Sequence, residues 1–472
     1  MKLLAINERP VQPRFIQGVL LAALVCLTAW PARGAMTLTE AVDIAQRNDP
    51  WLVGSEYRQQ AIEAQSTAAG TLPDPVVSVG FANLPTDTFD FDQEAMTQFK
   101  VGVSQTFPRG HSRALDQKRL SLLGAQYPYQ RDDRRAKVAV NITSLWLEVF
   151  RATESIRLIE QDRALFEDLV DVAQSSYSTA VGRTRQQDLI RAQLELTRLE
   201  DRLTVLHERR DMSRAKLNEW LHAAPGSPPP AGARGQAGIS ANLALSDKLA
   251  ETLPQIELRH PTLYEAGTAP SPQDIASHLR SHPAILSLDR KIDASRAGIE
   301  LAEQKYRPQW SVNASYGYRE DDPVDNPSMD RDRPDFFSFG VAFDLPLFTS
   351  KRQDRQVQSA IAGSEAVRTE KWLALRNMIA TFETQRSKLL RLNQRQLLYQ
   401  SRLLREMQDQ AEASLTAYTT DDGDFSEVVR ARIDELNARI DALDIEVDRL
   451  KTISQLNYFF VTSSSFPGGE TS

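Results

Sequence analysis

Two clusters of charge and one pair of histidines are the residues best placed to do chemistry. Asp421, Asp422 and Asp424 surround Gly423, and Arg183 and Arg185 flank Gly182 beside Val181. Carboxylates this close together concentrate a negative potential that draws cations. The alternative is a pair of solvated turns, since Asp and Gly are common in any turn. His278 and His282 lie four residues apart, a spacing that puts two imidazoles on one face of a helix, where a divalent metal could bind. The competing reading is a solvated pair beside Pro283. Two more acidic groups, Asp87, Asp90, Asp92, Glu94 and Glu320, Asp321, Asp322, Asp325, Asp330, Asp332, Asp335, are interleaved in the second case with Arg319, Arg331 and Arg333. They read either as cation attractors or as loops kept soluble by charge. A Ser/His/Asp order, a nucleotide-binding loop and a metalloprotease helix motif are all missing. Neither an enzyme, nor a cofactor, nor a resident metal is expected.

The elements that must position these residues are long helices. Tyr129 to Ala224 contains no proline and a single glycine, Gly182, between Pro128 and Pro225. A run this long predicts a coiled coil or a helical hairpin, with the turn at Ser178-Thr179-Ala180-Val181-Gly182-Arg183-Thr184. Leu189, Leu196 and Leu203 share one heptad position, and Ala192, Leu199, Leu206 and Trp220 another. Leu347 to Phe466 forms a second proline-free run, with heptads at Ile433, Ile440, Val447 and at Leu436, Leu443, Leu450, and with a turn at Gly423.

The two runs belong to an internal duplication. Arg47-Asn48-Asp49-Pro50 resembles Arg280-Ser281-His282-Pro283, so Ala45 and Asp49 stand where His278 and His282 stand in the second copy. No symmetric metal site follows. Each copy also carries two strand patterns. Val77, Val79, Phe81 and Phe99, Val101, Val103, Phe107 alternate with small or polar residues in the first. Trp310, Val312, Ala314, Tyr316, Tyr318 and Phe337, Phe339, Val341, Phe343, Leu345 do so in the second. Such a dyad places a strand between an apolar surrounding and water, as in a lipid-facing barrel or a half-buried soluble sheet. Four strands cannot close around a channel, but three chains would supply twelve. Pro75, Pro108, Pro308 and Pro346 sit where strand should become helix. Each copy reads as one long helix, kinked at Pro128 in the first, paired with two stacked half-length helices. In the first copy these are Thr39 to Gly70 and Arg185 to Leu221, meeting at mid-height.

The 472 residues carry a net charge of −7, and this mild acidity speaks against a nucleic-acid partner. Lys2, Arg9 and Arg14 precede the apolar stretch Phe15 to Trp30, and Ala32-Arg33-Gly34 offers small residues for cleavage. Residues 1–34 are read as a signal peptide. The single cysteine, Cys26, lies within it, behind a Val25 too large for a good lipoprotein signal. The expected division is 35–221 as the first repeat, 222–272 as a linker wrapped around the outside at mid-height, 273–461 as the second repeat and 462–472 as a tail. Pro228-Pro229-Pro230 marks the linker.

Strand pair and long hairpin, duplicated behind a signal peptide, resemble the TolC family of outer-membrane efflux channels. The most specific residues are Gly70-Thr71-Leu72-Pro73-Asp74-Pro75, Asn83-Leu84-Pro85, Met96-Thr97 and Val103-Ser104-Gln105-Thr106-Phe107-Pro108. This set is similar to the cation-efflux branch, although Arg109-Gly110-His111 replaces that branch's Pro-Gly-Lys type turn. The resemblance implies a mainly α chain with a small β part. Its helical hairpins would form a periplasmic tunnel, and its four strands would join a trimeric twelve-stranded barrel in the outer membrane of a Gram-negative bacterium. It also implies a homotrimer, contact with outer-membrane lipid, a periplasmic adaptor and an inner-membrane pump of the RND type. Val181, Gly182, Arg183 and Gly423 then become docking tips. Asp421, Asp422, Asp424 and Arg185 become a periplasmic gate. The rival readings are a drug or protein export channel of the same family and a soluble periplasmic adaptor.

Overall fold

The computed structural model describes residues 36–178, 186–222, 253–264, 270–321, 333–420 and 423–463. The same series of elements occurs twice. The first series is α1 (Leu38–Asn48), α2 (Pro50–Ala69), β1 (Val76–Ala82), β2 (Gln98–Phe107), α3 (Ser112–Gly124), α4 (Tyr127–Ser178) and α5 (Gln186–Leu221). The second is α6 (Pro272–Leu279), α7 (Pro283–Glu303), β3 (Trp310–Tyr318), β4 (Phe336–Phe343), α8 (Gln353–Leu398), α9 (Leu404–Thr419) and α10 (Phe425–Tyr458). No described helix is long and apolar enough to cross a membrane.

The four strands form one antiparallel sheet in the order β1-β2-β3-β4. Its register joins the two repeats through β2 and β3, with Val101 opposite Tyr316 and Phe107 opposite Trp310. Val79 faces Val101, and Tyr316 faces Phe337, so one row of apolar side chains crosses all four strands. The alternation read from the sequence therefore falls on a single face. Ser78, Gly102, Ser315 and Ser338 cross on the other. The helices beneath repeat the strand order, for α2 packs on α3, α3 on α7 and α7 on α8. Each strand thus stands on its own helix.

The heptads locate the lower core. Ala192, Leu199 and Leu203 of α5 pack with Ile156, Ile159 and Phe166 of α4 and with Val428, Leu436 and Ile440 of α10. The half-length helices meet higher up. Ala41 and Ala45 of α1, Val138, Ile142 and Trp146 of α4, and Leu217 and Leu221 of α5 share one core, with Trp220 at its margin. In the second repeat Ile275 and Leu279 of α6 meet Leu450, Ile453 and Leu456 of α10 over Phe382 and Leu389 of α8. The described end of the linker lies on this junction. Leu253, Ile256, Leu258 and Leu263 pack there, and Tyr264 is buried against Phe382.

Three helix boundaries differ from the sequence reading, each for a local reason, and the second long helix carries an interruption besides. Thr39 to Gly70 is not one helix, because Asp49 ends α1 and its carboxylate accepts from the Trp51 N–H to start α2 on Pro50. The break expected at Pro128 falls instead at Ala125–Gln126. Pro128 occupies the first turn of α4, where a missing N–H costs nothing. The second long helix begins at Gln353 rather than Leu347, because Thr349 accepts from Arg352 and Asp354 in a preceding turn. It is also interrupted by a π-helical turn at Tyr399–Leu403, which no proline or glycine announces.

Candidate functional site

The duplicated Asp49 and His282 are capping residues rather than ligands. His282 is fully buried, so the solvated-pair reading is corrected. Its Nδ1 accepts from the Ala284 N–H at 3.2 Å and its Nε2 donates to the Tyr458 carbonyl at 3.0 Å. Both bonds need the neutral ring protonated on Nε2. His278 packs at a tilt on His260 and edge-on against Phe460, with ring centroids 5.5 and 5.7 Å away, a different set of partners. Asp49 is also buried and pairs with Arg134 at 2.7 Å, whose guanidinium lies between the rings of Trp51 and Trp220. Each repeat thus fastens its half-helix junction with a buried N-cap.

A pH dependence follows from this geometry. Burial pushes the His282 imidazole below its ordinary value, against an opposing pull from nearby Asp133. The folded state then binds fewer protons than the unfolded chain. This contribution to stability is complete above the ordinary value of about 6.5 and is lost as pH falls below it. His282→Ala should cost about 1–3 kcal/mol at pH 7.5 through the lost cap and the unpaired Tyr458 carbonyl. His282→Asn, which can still cap, should lose less stability than wild type between pH 7.5 and 5. Thermal unfolding at the two pH values checks this, and equal slopes would discard it.

The sheet presents its apolar face without a cover. Val79 is 64% exposed, Phe337 73% and Phe339 66%. Trp310 and Phe343 stack at the base, 5.0 Å apart. Apolar patches of this extent belong to an interface or a membrane. Among the described residues, neither edge strand, β1 or β4, has a second partner.

The strand loops are braced by the arginines read as charge decoration. Arg319 donates to the Ala95 and Pro334 carbonyls and lies 4.1 Å from the Phe336 ring centroid. Arg333 donates to the Asp92 carbonyl. Asp335 accepts from the Arg319 N–H and from the Tyr316 hydroxyl, and Asp321 accepts from the Arg333 N–H. Asp322, Asp325, Asp330, Arg331 and Asp332 lie outside the described residues. The motif residues have a similar job. Asn83 adopts φ 58°, donates to the Met96 carbonyl and accepts from buried Thr97 through its own carbonyl. Asparagine tolerates that left-handed conformation better than most residues.

At the base of the sheet Arg109 ties the two repeats together. It donates to the Lys305 and Arg307 carbonyls and pairs with Asp344, which also accepts from the Gln309 N–H. These contacts account for arginine at the first position of the turn, and Gly110 is the residue it keeps in common with a Pro-Gly-Lys turn. Gly110 has φ +46°, and a Cβ there would sit 2.4 Å from the Gln304 amide oxygen.

Of the hairpin-tip residues, Val181, Gly182, Arg183, Arg185, Asp421 and Asp422 lie outside the described residues. Gly423 and Asp424 are described. A Cβ on Gly423 would fall 2.8 Å from the Tyr418 backbone nitrogen, so the turn closes only with glycine. Asp424 occupies the N-cap of α10, but its exposed carboxylate makes no capping bond. Phe425 behind it is buried against Tyr418. Among the described residues no group of three or more His, Cys, Asp or Glu could hold a metal ion.

No protein-family model matches the sequence, and no curated protein matches it. Solved structures match it along most of its length. The outer-membrane channel OprN is 15% identical, with 90% of this chain and 89% of that chain covered and a TM-score of 0.69. CusC, whose structures concern transmembrane channel formation, is 14% identical over 90% of this chain and 92% of its own, at 0.67. The outer-membrane protein VceC of Vibrio cholerae is 13% identical over 90% and 96%, also at 0.67. With its duplicated strand pairs standing on long helices, the chain has the fold of the TolC-type outer-membrane channels.

Proposed function

We propose that this chain is the outer-membrane channel of a tripartite efflux system. It would conduct passively from an inner-membrane pump and a periplasmic adaptor to the exterior of a Gram-negative cell. The observation that carries this reading is the four-stranded sheet, with two open edges and one uncovered apolar face, set on a layer of helices in the same order. Closing β1 of one protomer on β4 of the next satisfies both edges, and three copies give twelve strands. The wet face, with Ser78, Gly102, Ser315 and Ser338, would line the lumen. Light scattering of the detergent-extracted protein should give a trimer that forms ion-conducting pores in planar bilayers. A stable monomer that leaves bilayers silent would end the reading.

Heavy-metal cations are the proposed cargo, on the resemblance of the strand motifs to the cation-efflux branch and on the acidic loops. A deletion strain should become sensitive to heavy-metal salts and not to apolar drugs; the reverse pattern would move the chain to the drug channels. Val181, Gly182, Arg183 and Gly423 are proposed as the docking tips. Asp421, Asp422 and Asp424 would form the gate, locked by Arg183 and Arg185 through pairs worth about 0–1 kcal/mol each. Replacing the three aspartates by alanine should raise resting conductance and lower cation selectivity in bilayer recordings. Unchanged values would leave the tip a solvated turn.

A further inference from the structure

We propose a binding site for the phosphate of an anionic phospholipid headgroup at the junction of sheet and helices. The inference rests on the channel reading above, which puts this junction at the inner surface of the outer membrane. A cavity of about 350 Å3 opens there between the ends of α7 and β2 and the starts of β3, α3 and α8. Arg109, Lys305 and Arg352 line it, and a second hollow beside it is lined by Lys305, Lys351, Arg352 and Arg355. Arg109 is committed to Asp344, and Arg355 donates to Gln358. Among the described residues, Lys305, Lys351 and Arg352 have no carboxylate within ion-pair distance, although all three are exposed. Arg307, also exposed, adds a fourth cation beside them. Of the carboxylates around this junction, Asp344 is held by Arg109, Asp354 accepts from the Tyr306 hydroxyl, and Glu303 lies near that same hydroxyl.

Charge alone would not make a site. The second observation is Gln353, the first residue of α8. It is 7% exposed, lines the cavity, and its buried Oε1 has no hydrogen-bond partner. A buried amide oxygen without a donor is costly, so a ligand with a donor beside its charge is called for. The first turn of α8 adds the N–H groups of Gln353 and Arg355, since Arg352 at the N-cap provides no side-chain cap and only the Asp354 N–H is taken, by the Thr349 carbonyl. A phosphodiester carrying a hydroxylated headgroup fits both halves. The phosphate meets Arg352, Lys305 and the helix N-terminus, and the hydroxyl donates to Gln353.

The surroundings favour a lipid over a free anion. Leu345, Leu347 and Phe348, between the apolar strand face and Lys351, are 59%, 72% and 90% exposed. Acyl chains would cover these side chains while their headgroup reaches the cations, the arrangement of an interfacial anchor.

The test uses the full-length channel in detergent, with lipid retention read by native mass spectrometry. Wild type should retain phosphatidylglycerol about tenfold over phosphatidylethanolamine, the ratio expected when charge-assisted contacts worth one decade are gained. Gln353→Leu should lower retention of phosphatidylglycerol relative to phosphatidylmethanol, whose phosphodiester has no headgroup donor for the Gln353 oxygen. The exposed pair Lys351→Glu and Arg352→Glu should abolish phosphatidylglycerol retention without touching the buried amide, and so keeps the test decisive if Gln353→Leu misfolds. Lys216→Ala, near the end of α5 where the half-length helices meet and outside both hollows, should change nothing. Retention unaffected by the double variant, or lost equally in Lys216→Ala, overturns the site. Displacement by inorganic phosphate as readily as by the lipid would overturn the lipid assignment and leave a free-phosphate site. A protein that conducts in bilayers yet shows no headgroup preference refutes this site alone. One that never inserts refutes the channel reading beneath it.

Discussion

Phe339→Lys should prevent stable membrane assembly, whereas Ser338→Lys, one residue earlier in β4, should be tolerated. The two side chains leave the same strand on opposite faces. Phe339 lies on the row that also holds Ala314 and Val103, and Ser338 on the row that holds Ser315 and Gly102. A cation held against lipid near the bilayer midplane costs about 2–4 kcal/mol, and each trimer would carry three. The wet face already accepts one, since Lys100 sits between Phe99 and Val101 on β2. A soluble half-buried sheet would not distinguish the two variants in this way. Outer-membrane fractionation and the fraction surviving as trimer in detergent give the measurement. Equal loss in both variants would remove the lipid-facing assignment of the apolar row.

The parts of this fold that follow a period were readable. The dyad fixed which strand residues share a face, and the register carries that face across all four strands without a slip. The heptads of α5 and α10 fall on the buried seam at Leu199, Leu203, Leu436 and Ile440. Single residues whose role depends on a distant partner were not readable. His282 looks like half of a metal pair until Tyr458, far along the chain, supplies the acceptor for its Nε2. Its twin Asp49 points the same way, because a carboxylate and an imidazole in the same place before proline can both accept from the first N–H groups of the helix. Arg319 and Arg333 looked like loop charge because two of the carbonyls they hold, those of Ala95 and Asp92, belong to the other repeat. The π-helical turn at Tyr399–Leu403 has no composition signal at all, since a widened turn is made from ordinary helix formers.

The second large effect is expected where the hairpins of the two repeats meet. Glu148 on α4 pairs with Lys451 on α10, and Arg151 binds the same carboxylate while lying 3.8 and 3.7 Å from Asp444 and Asp448. The Lys451 side chain is only 10% exposed and that of Glu148 32%. Removing one partner strands the other in a poorly solvated seam. Lys451→Met should therefore cost about 2–4 kcal/mol, below the full range for a buried pair because a third of Glu148 still meets water. The double variant Glu148→Gln with Lys451→Met should recover most of that loss, since an apolar and a neutral side chain need no charge partner. Burial acts to raise the Glu148 carboxyl, but Lys451 and Arg151 more than reverse this and hold it below its ordinary value. The folded state then binds fewer protons than the unfolded chain in that range. The contribution of Glu148 is complete above the ordinary carboxylate value of about 4.3 and fades as pH drops through the lower folded one. Urea unfolding of the four members of this cycle should show a large coupling at pH 7 that shrinks below pH 4. A coupling that stays the same down to pH 3, or a double variant no better than Lys451→Met, would mean that the seam is held by its apolar contacts and that the ion pair only decorates it.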